Sequence, residues 1–376
     1  LVADQALFQR IGVVGGGAWG TALALTAQRA GRDAALWVRE PDARAEILTW
    51  REDTMFLPGI HLDVEISVTG DLAEIAESDA LLLVVPSQFL RAMARDLSHV
   101  VASHVPIVIC GKGVEADTGA LLADVVAEEL PENPVAVLSG PTFAGEVAKG
   151  LPTAVTIATR DAKWAFHAPD STVGARLVSS LSTATFRPYL SDDLVGVEIG
   201  GAVKNVLAIA CGIAEGRQLG SNARAALITR GLAEIARLGE ALGAQRETLM
   251  GLAGLGDLTL TCSSPQSRNM SFGLALGQGQ TPAEALTGKR VVVEGIANAA
   301  SVCSLARAKG VDMPICEAVN AILHQGADVD SVIRDLLDRP LKAEVSHLEG
   351  VAVAAAPTDA LPDVVSADAL QDAARQ

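Results

Sequence analysis

Aromatic side chains are nearly absent from this chain of 376 residues: Phe, Trp and Tyr make up only 3% of it. Its core is therefore expected to consist of Ala, Val, Leu and Ile, and a hydrophobic content of 49% supports a sizeable interior without staples. Disulfides are not expected. The five cysteines (Cys110, Cys211, Cys262, Cys303 and Cys316) form no CxxC pair and are odd in number, a pattern of single thiols in a reducing compartment. Six histidines, scattered from His61 to His347, show no HExxH or paired spacing, so no metal site is expected. Positive charge is in deficit. With Lys+Arg at 29 and Asp+Glu at 45, the net charge of -16 argues against a nucleic-acid or anionic-membrane surface, although a local basic pocket stays open. No apolar run is expected to reach membrane-spanning length without interruption, and the N-terminus has no signal-peptide pattern. The chain begins at Leu1, which leaves processing or truncation open. The expected setting is cytoplasmic.

What is present is a βαβ rhythm. Ile11-Gly12-Val13-Val14 is a short β-type run leading into Gly15-Gly16-Gly17-Ala18-Trp19-Gly20. An Ala-rich helix pattern follows from Ala22 to Ala30, closed by Gly31, and Ala35-Leu36-Trp37-Val38 reads as a second buried strand. The runs Leu81–Val85, Pro106–Cys110 and Val135–Leu138 continue the alternation. Near-continuous apolar strands separated by helices indicate a mostly parallel sheet covered on both faces. After Leu190 the strand candidates give way to helices, among them one that Ser221-Asn222 is expected to cap and Gly243 to end. The expected organisation is α/β: a Rossmann-type, doubly wound dinucleotide-binding domain over 1–190, an all-α substrate domain over 191–340, and a mobile tail over 341–376.

Gly15-x-Gly17-x-x-Gly20 is weak as a bare pattern and strong between a strand and a helix. The first glycine makes the tight turn, the second admits a pyrophosphate, and the third allows close packing, while helix-terminal N–H groups meet the phosphate charge. At the end of the second strand, Glu40 favours NAD and Arg39 can accommodate the 2′-phosphate of NADP, so the preference stays open.

Lys204 is the anomaly. It lies in a helix-length apolar run, Gly200-Gly201-Ala202-Val203-Lys204-Asn205, where an ammonium is costly and desolvation lowers its pKa. That shift suits a general base, whereas the bland alternative is a lysine whose head reaches water. Lys112, between two glycines after a strand, has the address of a ligand-binding residue in a doubly wound sheet; a surface turn explains it as well. Asp257, on the bend Gly254-Leu255-Gly256-Asp257, would hold an ammonium and tune its pKa if it stood beside Lys204. In Ser139-Gly140-Pro141-Thr142-Phe143-Ala144, capping a short helix is the cheaper role for Thr142. Ser264–Asn269 looks like a helix start, where hydroxyl, guanidinium and amide together make a good anion site.

These pieces, in this order, closely resemble the bacterial-type NAD(P)-dependent sn-glycerol-3-phosphate dehydrogenases. The matching elements also include Phe56-Leu57-Pro58, Val85-Pro86-Ser87, Ala223-Arg224 through Thr229-Arg230-Gly231, and Val293-Glu294-Gly295, and they span roughly residues 11–325. The resemblance implies a site between the two domains. Lys204 would be the general base, Asp257 its orienting partner, and Lys112 a contact to both substrate and cofactor. Gly140, Thr142, Ser267, Arg268 and Asn269 would complete the substrate shell. Gly15, Gly17, Ala18, Trp19, Gly20, Arg39, Ala144, Val292 and Glu294 would line NAD or NADP, with Arg268 nearby. The stretch from Lys163 to Asp170 and the long tail depart from the family pattern.

The implied reaction is reversible hydride transfer between NAD(P)H and dihydroxyacetone phosphate, giving sn-glycerol 3-phosphate for glycerophospholipid synthesis. A dehydrogenase of another β-hydroxy acid and a non-catalytic dinucleotide sensor are the competing readings. The Lys112 loop and the Ser267–Asn269 anion site favour a phosphorylated substrate, and a retained Lys204 and Asp257 count against a sensor. Neither nucleic acid nor membrane is an expected partner, and the assembly is a monomer or a homodimer.

Overall fold

The computed structural model describes residues 7–164, 172–287 and 292–340. Contacts divide the chain into one compact unit that ends at Val329 and a second that begins at Asp330.

The first half alternates strands and helices. In chain order these are β1 (Arg10–Val14), α1 (Ala18–Arg29), β2 (Asp33–Trp37), α2 (Pro41–Trp50), β3 (Ser67–Thr69), α3 (Leu72–Ala76) and β4 (Ala80–Leu83). They continue with α4 (Leu90–Ser98), β5 (Ile107–Ile109), α5 (Leu122–Glu129), β6 (Val135–Ser139), α6 (Ala144–Ala148), β7 (Thr153–Thr159), α7 (Val173–Leu181) and β8 (Phe186–Ser191). The strands form one sheet in the order β3-β2-β1-β4-β5-β6-β7-β8. Pairing is parallel from β3 to β6, β7 runs antiparallel to β6, and β8 is parallel to β7. The order reverses beside β1, and in such sheets the ligand crevice lies at the carboxyl ends of the strands where this happens.

The sheet is doubly covered because neighbouring strand residues face opposite ways. Val13, Leu36, Leu82 and Val108 join one core with Leu23 of α1 and Leu177 of α7. Val14, Ala35, Leu83 and Ile109 join the other with Leu90 of α4 and Val125 of α5. Each fully buried Leu or Ile contributes about 1.5–3 kcal/mol, which is how a core with so few aromatics holds.

From Leu194 onward the described residues are helical. The helices are α8 (Leu194–Gly216), α9 (Gly220–Ala241), α10 (Arg246–Leu249), α11 (Asp257–Ser263), α12 (Arg268–Gly277), α13 (Pro282–Leu286), α14 (Glu294–Ala308) and α15 (Pro314–His324). The last helix among the described residues, α16 (Val329–Leu337), starts at the final residue of the first unit and otherwise belongs to the second. Helix α8 is the axis of this half: Asp193 caps it by accepting from Gly196 N at 2.8 Å, and its residues are almost all buried. Although Glu198 and Lys204 interrupt it, α8 is long and apolar enough to span a membrane by length and composition, but 89% of that window is buried inside the protein. It is a core helix because α11, α12, α14 and α9 cover it, and that covering is a tertiary fact.

Two helix starts differ from expectation. Helix α1 begins at Ala18, directly on the glycine loop. Helix α9 begins at Gly220 behind an N-cap Leu219, so Ser221 and Asn222 lie in its first turn and do not cap it. Gly31 and Gly243 do end their helices, with φ of 76° and 88°. The expected tail over 341–376 and most of the Lys163–Asp170 stretch lie outside the described residues.

Candidate active site

The glycine loop is shaped for a phosphate. Gly15 has φ 129°, and a Cβ there would stand 2.4 Å from the Val84 carbonyl oxygen. A Cβ on Gly20 would stand 1.8 Å from the Gly15 carbonyl oxygen, so the third glycine lets α1 fold back onto the turn itself. Gly17 differs: a Cβ there would meet nothing within 4 Å. It is the N-cap of α1 and offers no capping side chain, so nothing from that residue competes for the first N–H groups of a twelve-residue helix. Open space at the second glycine, between two that are sterically required, fits a dinucleotide pyrophosphate. Ala18 and Trp19 follow in the first turn, both half-buried and packed on the core.

Beyond β2, the Arg39 guanidinium donates to Glu40 Oε1 from Nε at 3.0 Å and from Nη2 at 2.8 Å, and it lies 5.8 Å from the Phe89 ring centroid. Arg39 is thus engaged with its neighbour and is not bonded to the lysine cluster.

That cluster is assembled by close approach of backbone. A Cβ on Gly200 of α8 would stand 2.5 Å from the Ala253 carbonyl oxygen, in the π-helical turn Leu252–Gly256 that leads into α11. A Cβ on Gly201 would meet the Ser139 hydroxyl at 3.1 Å and the Lys112 stem at 3.3 Å. The two glycines let the turn bearing Asp257 and the loop bearing Lys112 both close on α8. π-Turns recur at functional sites, and here one aims a carboxylate.

Lys204 is 6% exposed and Asp257 is 0% exposed. Lys204 Nζ donates to Asp257 Oδ1 at 2.6 Å and to Thr261 Oγ1 at 2.8 Å. Lys112 Nζ donates to the other oxygen, Asp257 Oδ2, at 2.5 Å and to the Gly140 carbonyl at 3.4 Å. Two ammonium groups therefore share one carboxylate, which leaves a net positive charge inside an acidic protein. Burial pushes Lys204 down to about 8, Asp257 opposes that, and Lys112 adds to it. Such an amine exchanges a proton near neutrality.

A second network abuts the first. Asn205, next to Lys204, donates to Glu294 Oε2 at 3.3 Å and accepts from Asn269 Nδ2 at 2.9 Å. Asn269 Oδ1 accepts from Gly295 N at 2.9 Å, so α8, α12 and the start of α14 are joined. Burial raises the Glu294 carboxyl, while Arg268, Lys112 and Lys204 pull it back. Ser267 caps α12 by accepting from Met270 N at 3.2 Å; Arg268, the first residue of that helix, is exposed. The expected capping role of Thr142 is not observed. Its hydroxyl donates to the Gly140 carbonyl at 3.3 Å, and the N-cap of α6 is Phe143, so Thr142 lies one residue before the cap position. Ala144 is the first residue of α6, and Val292 is exposed just before α14.

Direct bonds thus unite Lys112, Gly140, Lys204 and Asp257, with Thr142 hanging on Gly140. Asn269 and Glu294 join through Asn205. Sequence reasoning gave no role to Thr261, Asn205 or Ser139. Thr261 was readable, since it stands one helical turn after Asp257 and shares its face. Among the described residues no group of His, Cys, Asp or Glu is arranged to hold a metal ion.

The chain matches two family profiles described as the N-terminus (residues 10–165) and the C-terminus (residues 193–334) of NAD-dependent glycerol-3-phosphate dehydrogenase. It is 53% identical over 337 residues to glycerol-3-phosphate dehydrogenase (NAD(P)+) of Parvibaculum lavamentivorans, covering 90% of this chain and 98% of that one. The enzyme of the same name from Caulobacter vibrioides is 54% identical over 337 residues, at 90% and 99% coverage. The crystal structure of glycerol-3-phosphate dehydrogenase from Coxiella burnetii superposes with a TM-score of 0.82 at 40% identity, covering 89% of this chain and 100% of that one.

Proposed function

This chain belongs to the NAD-dependent glycerol-3-phosphate dehydrogenase family, and from that premise we propose that its lysine–aspartate–lysine cluster is the catalytic centre. The reaction is reversible hydride transfer between NAD(P)H and dihydroxyacetone phosphate, giving sn-glycerol 3-phosphate. The observation that carries the assignment is Lys204, a buried amine held near neutrality by desolvation and tied to a single carboxylate.

Bound NAD(P)H supplies the hydride for C2. In that direction protonated Lys204 gives its proton to the C2 oxygen, and in the reverse direction neutral Lys204 removes it. Asp257 holds the amine in place and keeps its proton from being lost too early. Lys112 offsets the developing oxyanion and reaches toward both substrate and cofactor. Gly140, Thr142, Ser267, Arg268 and Asn269 form the substrate shell, with Arg268 as the exposed cation for the phosphate. Gly15, Gly17, Ala18, Trp19, Gly20, Arg39, Ala144, Val292 and Glu294 line the dinucleotide, which Lys112 and Arg268 also reach. The dinucleotide half ends near residue 190 and the substrate half continues to about 340. Five free, buried cysteines and a net charge of -16 support a cytoplasmic setting, with a small phosphorylated substrate as partner and not nucleic acid. The reductive direction is the one that would feed glycerophospholipid synthesis, as the family resemblance suggests.

The test is the initial rate of NADH and NADPH consumption with dihydroxyacetone phosphate, in the wild type and in Lys204→Ala. The wild type turns over; Lys204→Ala loses several orders of magnitude while dinucleotide binding stays within a few-fold. Surviving turnover in Lys204→Ala removes the base assignment. A folded wild type that binds the dinucleotide yet consumes none removes the substrate.

A further inference from the structure

Asn298 lies on α14, one turn after Glu294, and is fully buried. Its amide nitrogen donates to two backbone carbonyls, that of Lys112 at 3.2 Å and that of Ala202 in α8 at 3.2 Å. Only a nitrogen with two hydrogens satisfies both, so the amide orientation is fixed by its partners. The other amide atom, Oδ1, is buried without a partner. Leaving an acceptor unpaired in the interior is unfavourable, and an apolar side chain would avoid it. The donor end explains why an amide stands there.

We propose that Asn298 is a positioning residue: it pins the backbone of Lys112 to the helix that carries Lys204, and so sets how far the Lys112 ammonium reaches toward Asp257. The pinned carbonyl belongs to Lys112 itself, so the pin acts close to the root of the side chain. The stem then passes Gly201 with no slack, since a Cβ there would stand 3.3 Å from Lys112 Cγ. From the next residue the loop is clamped again: a Cβ on Gly113 would stand 2.8 Å from Asn298 Oδ1 and 2.5 Å from Ser87 Oγ. The far end of the loop is held independently, by Arg91 bonded to both oxygens of Glu115 at 2.7 and 2.8 Å. Loss of the pin therefore frees the Lys112 end of the loop without unfastening the whole.

The consequence is electrostatic and has a definite sign. The groups facing Lys204 are Asp257 and Cys262 on α11, Lys112 on its loop and Glu294 on α14, with Cys211 of α8 beside Cys262 and Arg268 opposite Glu294. Among them Lys112 is the cation that pushes Lys204 down. A Lys112 that swings away, or water that follows it in, raises Lys204.

The inference rests on the reading of Lys204 as the base, and two uncharged variants test it. Asn298→Leu removes the donor at similar volume; Gly113→Ala presses on the same clamp from the loop side. In each, kcat/KM is expected to fall about 10²-fold, mainly through kcat, the scale of a misplaced catalytic group. The pH limb assigned to Lys204 is expected to move up by roughly one unit in both reaction directions. Dinucleotide affinity, read from the protein's tryptophan fluorescence, falls far less than kcat/KM, because Lys112 is the one dinucleotide contact that moves and the pin does not touch the glycine loop. Wild-type kcat/KM in either folded variant overturns the inference, and so does a slower enzyme with an unmoved limb, which marks a merely structural bond. If Lys204→Ala is inactive in the same assays, that failure belongs to Asn298 alone. If Lys204→Ala is active, the base reading itself has failed.

Discussion

Asp257 Oδ1 accepts a 2.6 Å hydrogen bond from Lys204 Nζ across 53 residues of sequence, and both partners are buried. The carboxylate opposes the desolvation of the amine. Asp257→Asn keeps the shape and deletes the charge, so Lys204 falls further and Lys112 loses its anchor. Activity is expected to drop by at least about 10²-fold. The pH limb should move down, opposite in sign to the shift expected for Asn298→Leu. Profiles of kcat/KM in both reaction directions check this, and an upward shift removes Asp257 as the tuning group.

The three glycines of the fingerprint separate into two kinds by what a methyl group would meet. Gly17→Ala meets only solvent space. It should cost under about 1 kcal/mol of stability, as Ala does at an N-cap, while weakening dinucleotide binding about tenfold or more. Gly20→Ala drives a Cβ to within 1.8 Å of the Gly15 carbonyl oxygen. That is a backbone clash, and a loss above about 3 kcal/mol is expected. Thermal melting alongside NADH titration distinguishes them. Equal losses of stability would remove the pyrophosphate reading of Gly17.

Much of this architecture was legible before any coordinates. Strands such as Leu81–Leu83 and Ile107–Ile109 read clearly because both sheet faces are covered, which makes them continuously apolar. Lys204 betrayed itself as a charge in an apolar helix. Other features were hidden because they depend on partners distant in sequence. The antiparallel pairing of β7 with β6 is a property of register, not of composition. Ser221 and Asn222 have capping chemistry but begin two residues after the cap position, too late to use it. Asn298 looks like any polar residue on a helix until the carbonyls of Lys112 and Ala202 arrive from two other segments.

Glu40 holds Arg39 in an ion pair whose charges cancel at the end of β2, where a dinucleotide's ribose is expected to be read. A 2′-phosphate would have to take the guanidinium from a carboxylate that also repels it, so NADH is the expected better substrate. Glu40→Gln removes the competitor and the repulsion together. The NADPH to NADH ratio of kcat/KM should rise about tenfold, equivalent to ~1.4 kcal/mol, with a parallel change in directly measured affinities. An unchanged ratio would show that Arg39 is not the group that meets the 2′ position.

Glu198 on α8 is buried and accepts from Ala123 N at 2.8 Å, capping α5 from a distance, while its other oxygen has no partner. Burial pushes its carboxyl from 4.5 up to about 8, against the hydrogen bond from Ala123. The native state therefore keeps a proton that the unfolded chain releases. The stabilisation is complete below 4.5 and disappears as the pH rises through about 8. Lys204 works with the opposite sign in a different window: its folded value of about 8 lies below the ordinary 10.5, so its effect on stability rises with pH between those values. Glu198→Gln stays neutral throughout and keeps an acceptor for Ala123 N. Its melting temperature should be near wild type in mild acid and pull ahead as the pH approaches about 8, by an amount worth a few kcal/mol. Calorimetry of the two proteins across that range decides it. Parallel curves would mean that Glu198 is already ionised in the folded protein, with its second oxygen satisfied by water.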